Sequence, residues 1–179
     1  MSEAPTETLT PKANQDDHSK GPANAPVTVV EYGDYECPYC GEVEPWVKDL
    51  QHQLGNRLRF VFRNFPLPQH PYAEIAAEAA EAAGAQGKFW QMHDLLYQNQ
   101  NALAAQDLVA YAQQLGLDIP TFVRAIENRE YDARIQGDVM SGEESGVQGT
   151  PTFFINGREY EGPLQEQALL SAAEHAANS

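Results

Sequence analysis

The chain has 179 residues, a length that suits one domain or one fold carrying an inserted subdomain. Its 26 acidic residues outnumber 11 basic residues and give a formal net charge of -15 at pH 7. A surface this negative repels phosphate backbones and anionic lipid heads, which disfavours nucleic acids and membrane surfaces as partners. No apolar run approaches the length of a membrane span, so no spanning segment is expected.

The first twenty residues are polar and contain one large aliphatic residue, Leu9, apart from the initiator methionine. A segment of this composition buries little apolar surface, so we expect residues 1–20 to be a disordered tail. The tail has neither the basic start nor the apolar centre of a signal peptide, which favours a cytoplasmic location. A chain whose signal peptide had been removed would look the same and would be periplasmic or extracellular.

A strand, a helix and a second strand follow the tail. Residues 26–33, PVTVVEYG, form an apolar, β-branched run that predicts a strand, and residues 57–65, RLRFVFRNF, predict another. Between them, apolar residues recur at helical spacing as far as Gly55, with a kink expected at Pro45. This succession predicts a right-handed β-α-β unit with parallel strands.

The middle of the chain is rich in Ala, Glu and Gln and contains no strand-like run. Its glycine and proline punctuation predicts four or five helices, near residues 72–83, 87–99, 105–115, 119–130 and 132–145. The alanine-rich faces of these segments predict close packing between helices.

Strand signals return near the end of the chain. Residues 152–155, TFFI, predict a strand, and Asn156-Gly157 predicts a two-residue hairpin turn into a returning strand over residues 158–161. A last helix is expected near residues 164–176.

The two cysteines of the chain, Cys37 and Cys40, stand three residues apart between the first strand and the following helix. The first N–H groups of a helix lack intrahelical partners and the helix dipole is positive there, which stabilises a thiolate and lowers its pKa. We therefore predict Cys37 as an exposed nucleophile and Cys40, one turn deeper, as the thiol that resolves the mixed disulfide. Pro38 suits the first helical turn, where its missing N–H costs little.

A metal site and a pair of inert cysteines are the alternatives at this motif. Structural zinc takes four ligands, and no two of the five histidines form a suitably spaced pair. The strand–CxxC–helix context favours a redox motif instead, so no metal and no cofactor is expected. Among the histidines, His93 is expected to pack in a helical core, and His70, in a loop, is assigned no role.

Two motifs, VVEYGDYECPYC at residues 29–40 and GTPTFFING at residues 149–157, resemble those of the thioredoxin superfamily. They are similar in particular to the bacterial DsbA-like oxidoreductases with a helical insertion, as are RFVFRNFP at residues 59–66 and KFWQMHDLLY at residues 88–97. The resemblance covers roughly residues 21–176.

The resemblance implies an α/β, thioredoxin-like fold with an inserted all-helical subdomain. The thioredoxin-like domain would take residues 21–67 and 147–179, and the helical insertion would take residues 68–146.

The resemblance also implies roles for residues around the dithiol. In such proteins the proline matching Pro151 is cis and faces the cysteines, so Pro151 and the Thr150 backbone are expected to bind substrate as an added strand, beside Pro38 and Tyr39. An acidic residue beneath the dithiol matches Glu31, whose burial would raise its pKa and let it relay the proton of Cys40. Strand alternation alone leaves open that Glu31 points to solvent.

Three residues depart from the pattern of the oxidant DsbA proteins. Tyr39 stands where those proteins have histidine, Thr150 stands where they typically have valine, and Glu36 adjoins Cys37 and would oppose its ionisation. These departures favour a less extreme oxidant, a reductase or an isomerase, and leave the direction of electron flow open.

The sequence therefore predicts a protein disulfide oxidoreductase that exchanges disulfides with protein or peptide thiols through Cys-Pro-Tyr-Cys. A monomer is expected, and the sequence does not identify its redox partner. One alternative is a redox-sensing or adaptor domain switched by Cys37–Cys40. Another is a glutathione-dependent thioredoxin-fold enzyme, although such enzymes often lack a paired dithiol.

Overall fold

A computed structural model describes residues 6–179 of the protein, so the first five residues of the expected tail lie outside the described residues. Five strands and seven helices form within that range, with a 3-10 turn at Gly55–Arg57. The strands are β1 (His18–Lys20), β2 (Val27–Gly33), β3 (Leu58–Asn64), β4 (Thr152–Ile155) and β5 (Arg158–Glu159). The helices are α1 (Pro38–Leu54), α2 (Ala73–Ala85), α3 (Phe89–Gln98), α4 (Ala105–Gln114), α5 (Ile119–Glu127), α6 (Asp132–Glu144) and α7 (Glu166–Ala177).

The predicted elements are all present, and their order is the predicted one. The five middle helices begin and end within three residues of the predicted bounds. The returning strand β5 is shorter than predicted, and α7 begins two residues later, because Gly162 and Pro163 interrupt regular structure between them.

The described chain divides into two compact units. A sheet unit contains the described residues up to Gly33, together with Val43–Arg63 and Met140–Ser179. A helical unit contains Asp34–Glu42 and Asn64–Val139.

The sheet unit is built on a mixed five-stranded sheet with the strand order β1-β3-β2-β4-β5. β2 pairs antiparallel with β4 in a register that sets Glu31 opposite Phe153 and Tyr32 opposite Thr152. β3 is buried along its whole length and β2 almost so, which explains why both read as apolar runs. α7 packs against β2 and β4.

The helical unit is organised around α2, which packs against α3, α4 and α5. Its buried alanines are Ala73, Ala76, Ala77, Ala79, Ala80, Ala82 and Ala83. Small side chains let neighbouring helices approach closely, so the predicted alanine-mediated packing is confirmed here.

Residues 6–20 differ from the disordered tail that their composition predicts. β1 pairs antiparallel with β3, and Leu9 is buried. The buried guanidinium of Arg63 donates to both carboxylate oxygens of Asp17, at 2.9 and 3.0 Å, and to the carbonyl oxygen of Pro11 at 2.9 Å. The segment is held by a bidentate ion pair and an edge-strand pairing, which an argument from apolar content does not detect.

A second buried polar cluster lies at the end of β3, within the helical unit. Asp138 Oδ2 accepts the backbone N–H of Asn64 at 2.9 Å and its side-chain N–H at 3.0 Å. The Asn64 side chain also donates to Glu81, which forms a 3.0 Å ion pair with Arg134. Burial raises the pKa of Asp138 to about 6; the Glu81 charge adds to this effect, whereas the bonds from Asn64 and the Arg134 charge oppose it.

Asp138→Asn is expected to gain stability relative to the wild type as the pH rises. The folded protein holds the Asp138 proton up to about pH 6, whereas the unfolded chain releases it near its ordinary pKa of 3.8. The free energy of unfolding that this proton contributes is therefore complete below pH 3.8. It is lost as the pH rises through about 6, the pKa of Asp138 in the folded protein. The change is about 3 kcal/mol. Urea unfolding of both proteins between about pH 4 and about pH 7 measures the difference.

The control variant is Glu143→Gln, an exposed substitution in α6. A stability difference between Asp138→Asn and the wild type that stays constant across this range would contradict the assignment.

Candidate active site

Cys37 and Cys40 lie where β2 ends and α1 begins. The N–H of Cys37 donates to the carbonyl oxygen of Asp34 at 3.1 Å, which closes a turn over residues 34–37. The Cys37 carbonyl accepts the N–H of Gly41 at 3.1 Å, the first helical hydrogen bond of α1. Cys37 thus occupies the cap position, Pro38 is the first helical residue as predicted, and Cys40 lies in the first turn.

Both cysteines are buried. Cys37 is 3% exposed and Cys40 is 0% exposed, so the expectation of an exposed Cys37 is wrong, although Cys37 is the more accessible of the two. The turn bond to Asp34 and a side-chain bond to the Cys37 carbonyl draw this part of the chain inward. The exposed residues of the motif are Pro38 and Tyr39, and Tyr39 is 63% exposed.

The carboxylate of Asp34 is fully buried and organises the residues before the dithiol. Its Oδ1 accepts the N–H of Glu36 at 2.7 Å, and its Oδ2 accepts the N–H of Leu67 at 2.8 Å. Oδ2 also lies 2.7 Å from Nδ1 of His70. Sequence reasoning missed both Asp34 and His70. An aspartate three residues before Cys37 is a turn signal that could have identified the first, but nothing local marks the second.

His70 carries a perturbed imidazole. Burial acts to lower its pKa, but the hydrogen bond and charge of Asp34, with the charges of Cys37 and Glu36, outweigh burial and raise the pKa above its ordinary value. Glu36 is itself tied in place, because its carboxylate accepts the N–H of Tyr72 at 2.8 Å.

Gln100 holds the same turn from the chain segment after α3. Its side-chain nitrogen donates to the carbonyl oxygens of Tyr35 at 3.0 Å and Cys37 at 2.8 Å. Gly41 makes this approach possible, since a Cβ at position 41 would lie 2.1 Å from the Gln100 side-chain oxygen. No sequence pattern indicates this contact, because Gln100 is 63 residues from Cys37.

An aromatic cluster supports the turn through Tyr35. The Tyr35 hydroxyl hydrogen-bonds Nδ1 of buried His93 at 3.0 Å, and its ring packs 4.9 Å from that of Tyr97. Phe89 and Trp90 pack edge to face at 5.0 Å and also contact His93. The prediction that His93 is a core residue is confirmed.

The remaining predicted site residues belong to the sheet unit. Glu31 is completely buried on β2, so the solvent-facing alternative is wrong. The Thr150–Pro151 peptide bond is cis, as the resemblance implies. The register of β2 and β4 places Pro151 beside the C-terminal end of β2, and the Thr152 hydroxyl fixes the preceding turn by donating to the carbonyl of Gly149 at 2.6 Å.

A family model described as thioredoxin matches residues 13–175. The chain belongs to the thioredoxin family. Among residues 6–179, no helix is both long enough and apolar enough to span a bilayer.

Solved structures show which thioredoxin-family architecture the chain has. BdbD from Bacillus subtilis is 21% identical, with a TM-score of 0.83 over 91% of this chain and 94% of that chain. The thiol-disulfide exchange protein alpha-DsbA2 from Wolbachia pipientis is 18% identical, with a TM-score of 0.80 over 94% and 90%. A thioredoxin-like oxidoreductase from Silicibacter pomeroyi DSS-3 is 27% identical, with a TM-score of 0.78 over 98% and 99%. The fold is therefore the DsbA-like variant of the thioredoxin fold.

Curated relatives of the thioredoxin-family chain include longer proteins. The Na(+)/H(+) antiporter NhaA 1 of Salinispora arenicola (strain CNS-205) is 49% identical over 177 residues, which are 98% of this chain and 27% of that protein. The Na(+)/H(+) antiporter NhaA of Herminiimonas arsenicoxydans is 39% identical over 158 residues, 88% of this chain and 25% of that protein. The chain spans about a quarter of the length of these relatives.

Gln100→Ala is expected to lower the free energy of unfolding by roughly 2 kcal/mol, because the backbone carbonyls of Tyr35 and Cys37 lose their donor. Gly41→Ala displaces the same side chain and acts through it, so its cost is smaller in the Gln100→Ala background. Urea unfolding of the two single variants and the double variant measures this coupling. Gln98→Ala, at an exposed position of α3, is the control, and strictly additive effects would contradict the shared contact.

Proposed function

We propose that the chain is a thiol–disulfide oxidoreductase that exchanges disulfides with protein substrates through Cys37 and Cys40. The observation that carries the proposal is a dithiol at the cap and first turn of a helix, in a thioredoxin-family fold. The oxidoreductase of Silicibacter pomeroyi and the thiol-disulfide exchange protein of Wolbachia pipientis share this fold and support the reaction class.

The proposed reaction is two successive thiolate exchanges. The Cys37 thiolate attacks one sulfur of a substrate disulfide, forms a mixed disulfide and releases the other sulfur as a thiolate, which takes a proton. The Cys40 thiol then loses its proton, and the resulting thiolate attacks the Cys37 sulfur and releases the second substrate thiolate. The substrate gains two electrons, and Cys37 and Cys40 become a disulfide. The reverse sequence oxidises a substrate dithiol.

Substrate recognition is proposed for the two exposed residues of the motif and for the cis-proline turn. Tyr39 and Pro38 offer exposed apolar surface beside the thiols. The backbone at Thr150 and Pro151 directly precedes β4, and an extended peptide could pair with it by strand addition. Main-chain recognition of this kind tolerates many substrate sequences.

Glu31 is proposed to relay the proton of Cys40. Its complete burial on β2 supports this role, because burial disfavours the charged form of a carboxyl group and so favours the uptake of a proton. Proton removal from Cys40 must precede the resolving step, since the thiolate is the attacking species.

A second candidate is a redox-sensing or adaptor domain that changes partners when the Cys37–Cys40 disulfide opens. The observation that favours it is the match of the chain to about a quarter of the length of proteins named Na(+)/H(+) antiporters. In that role the disulfide state would alter how the domain contacts a transport protein, and no substrate would be turned over.

Cys37→Ser is expected to abolish catalysis of insulin reduction and of reduced-ribonuclease oxidation, because the attacking sulfur is lost. Cys40→Ser is expected to accumulate mixed disulfides with substrate, which non-reducing electrophoresis and mass spectrometry detect. If the wild type catalyses neither reaction, the enzyme proposal fails and the sensor remains. If Cys40→Ser yields no adduct while the wild type is active, the assigned roles are wrong.

Glu31→Gln is expected to slow the resolving step by about tenfold or more, because the amide cannot take up the Cys40 proton. Rapid-mixing measurement of mixed-disulfide decay, as a function of pH, follows this step directly. Glu161→Gln, an exposed substitution in the same unit, is the control. Equal decay rates in Glu31→Gln and the wild type at every pH would exclude a proton-transfer role.

A further inference from the structure

We propose that His70, fixed by the buried carboxylate of Asp34, is the cation that stabilises the thiolate of Cys37. His70 is a positioning residue in this scheme, acting on Cys37 through charge and not on the substrate. The inference rests on Cys37 being the nucleophile proposed above.

Asp34 connects the two residues by direct hydrogen bonds. Its backbone carbonyl accepts the N–H of Cys37 at 3.1 Å, and its carboxylate lies 2.7 Å from Nδ1 of His70. The remaining acceptor positions of the carboxylate bind the N–H groups of Glu36 and Leu67. The turn before Cys37 and the loop that carries His70 are therefore held by one buried group.

The His70 ring is suited to hold a positive charge at this position. A carboxylate facing Nδ1 favours a proton on that nitrogen, and a second proton on Nε2 makes the ring an imidazolium in a charge-assisted pair. The side chain is 20% exposed, so the ring can exchange protons with solvent. Its carboxylate partner is 0% exposed, so solvent does not weaken the attraction from the Asp34 side.

The charge of Cys37 acts on His70, and the coupling is reciprocal. The charges of Asp34, Cys37 and Glu36 each favour the protonated form of His70. Two sites that titrate together affect each other by equal free energies, so a protonated His70 favours the ionised form of Cys37 by the same amount. It also offsets Asp34 and Glu36, two nearby anions that would otherwise oppose ionisation of the thiol.

A purely structural role for His70 is the competing explanation, and it predicts a different result. Glutamine can also donate a hydrogen bond to the Asp34 carboxylate but carries no charge. A structural His70 should therefore tolerate His70→Gln, whereas a cationic His70 should not. His70→Arg retains the charge and should restore the behaviour of the wild type.

The experiment is an ultraviolet absorbance titration of the Cys37 thiolate in the reduced protein. In His70→Gln the pKa of Cys37 should rise by about one unit, and alkylation of Cys37 below that pKa should slow by about threefold, since higher basicity partly offsets the lost thiolate. His70→Arg should return both values toward those of the wild type. His52→Gln, at an exposed position in the last turn of α1, is the matched control and should change neither.

A second measurement keeps the test decisive if a His70 variant fails to fold. Nuclear magnetic resonance titration of His70 in Cys37→Ser should show the pKa of His70 lowered, because the thiolate charge is absent. The decrease should equal the rise in the Cys37 pKa that is expected in His70→Gln. An unchanged His70 pKa in Cys37→Ser, an unchanged Cys37 titration in His70→Gln, or the same rise in both His70 variants would each overturn the proposal. Loss of turnover with the coupling intact would instead refute the proposed function alone.

Discussion

The buried carboxylate of Asp34 is the group on which the geometry of the dithiol depends. It accepts hydrogen bonds from the backbone of Glu36 and Leu67 and pairs with His70. The backbone carbonyl of Asp34 closes the turn at Cys37. A buried carboxylate is stable only when its lone pairs are satisfied, so the bonds to Glu36, Leu67 and His70 follow from the burial itself. The bond to Glu36 holds the turn that positions the Cys37 backbone, and α1 continues from that turn.

The sheet unit contains a second charge buried under the same rule. The Arg63 guanidinium uses its donors on Asp17, on the Pro11 carbonyl and on the Tyr32 hydroxyl, and Tyr32 in turn bonds Ser141 at 2.8 Å. In both units a single buried side chain joins segments that are distant in the chain. The Asp34 pair lies beside the dithiol and has the role proposed above, whereas the Arg63 pair joins the N-terminal segment to the sheet.

Local patterns in the sequence predicted the elements well and the contacts between them less well. The helices after Pro71 and the hairpin at Asn156-Gly157 follow from periodicity and turn chemistry, which are properties of neighbouring residues. The contacts of His70 and Gln100 depend on partners dozens of residues away, so no local pattern encodes them. The burial of Cys37 was missed for the same reason, since the bonds that draw it inward come partly from Gln100.

The N-terminal segment bears on where this domain could be shortened. A chain beginning after Lys20 would lose β1 and leave β3 as an open edge, able to pair with the same edge of another molecule. It would also leave the Arg63 guanidinium buried without Asp17, a loss of about 3 to 5 kcal/mol when one partner of a buried pair is removed. The boundary of the folding unit therefore lies in a stretch whose composition resembles a linker, and trimming it would favour aggregation.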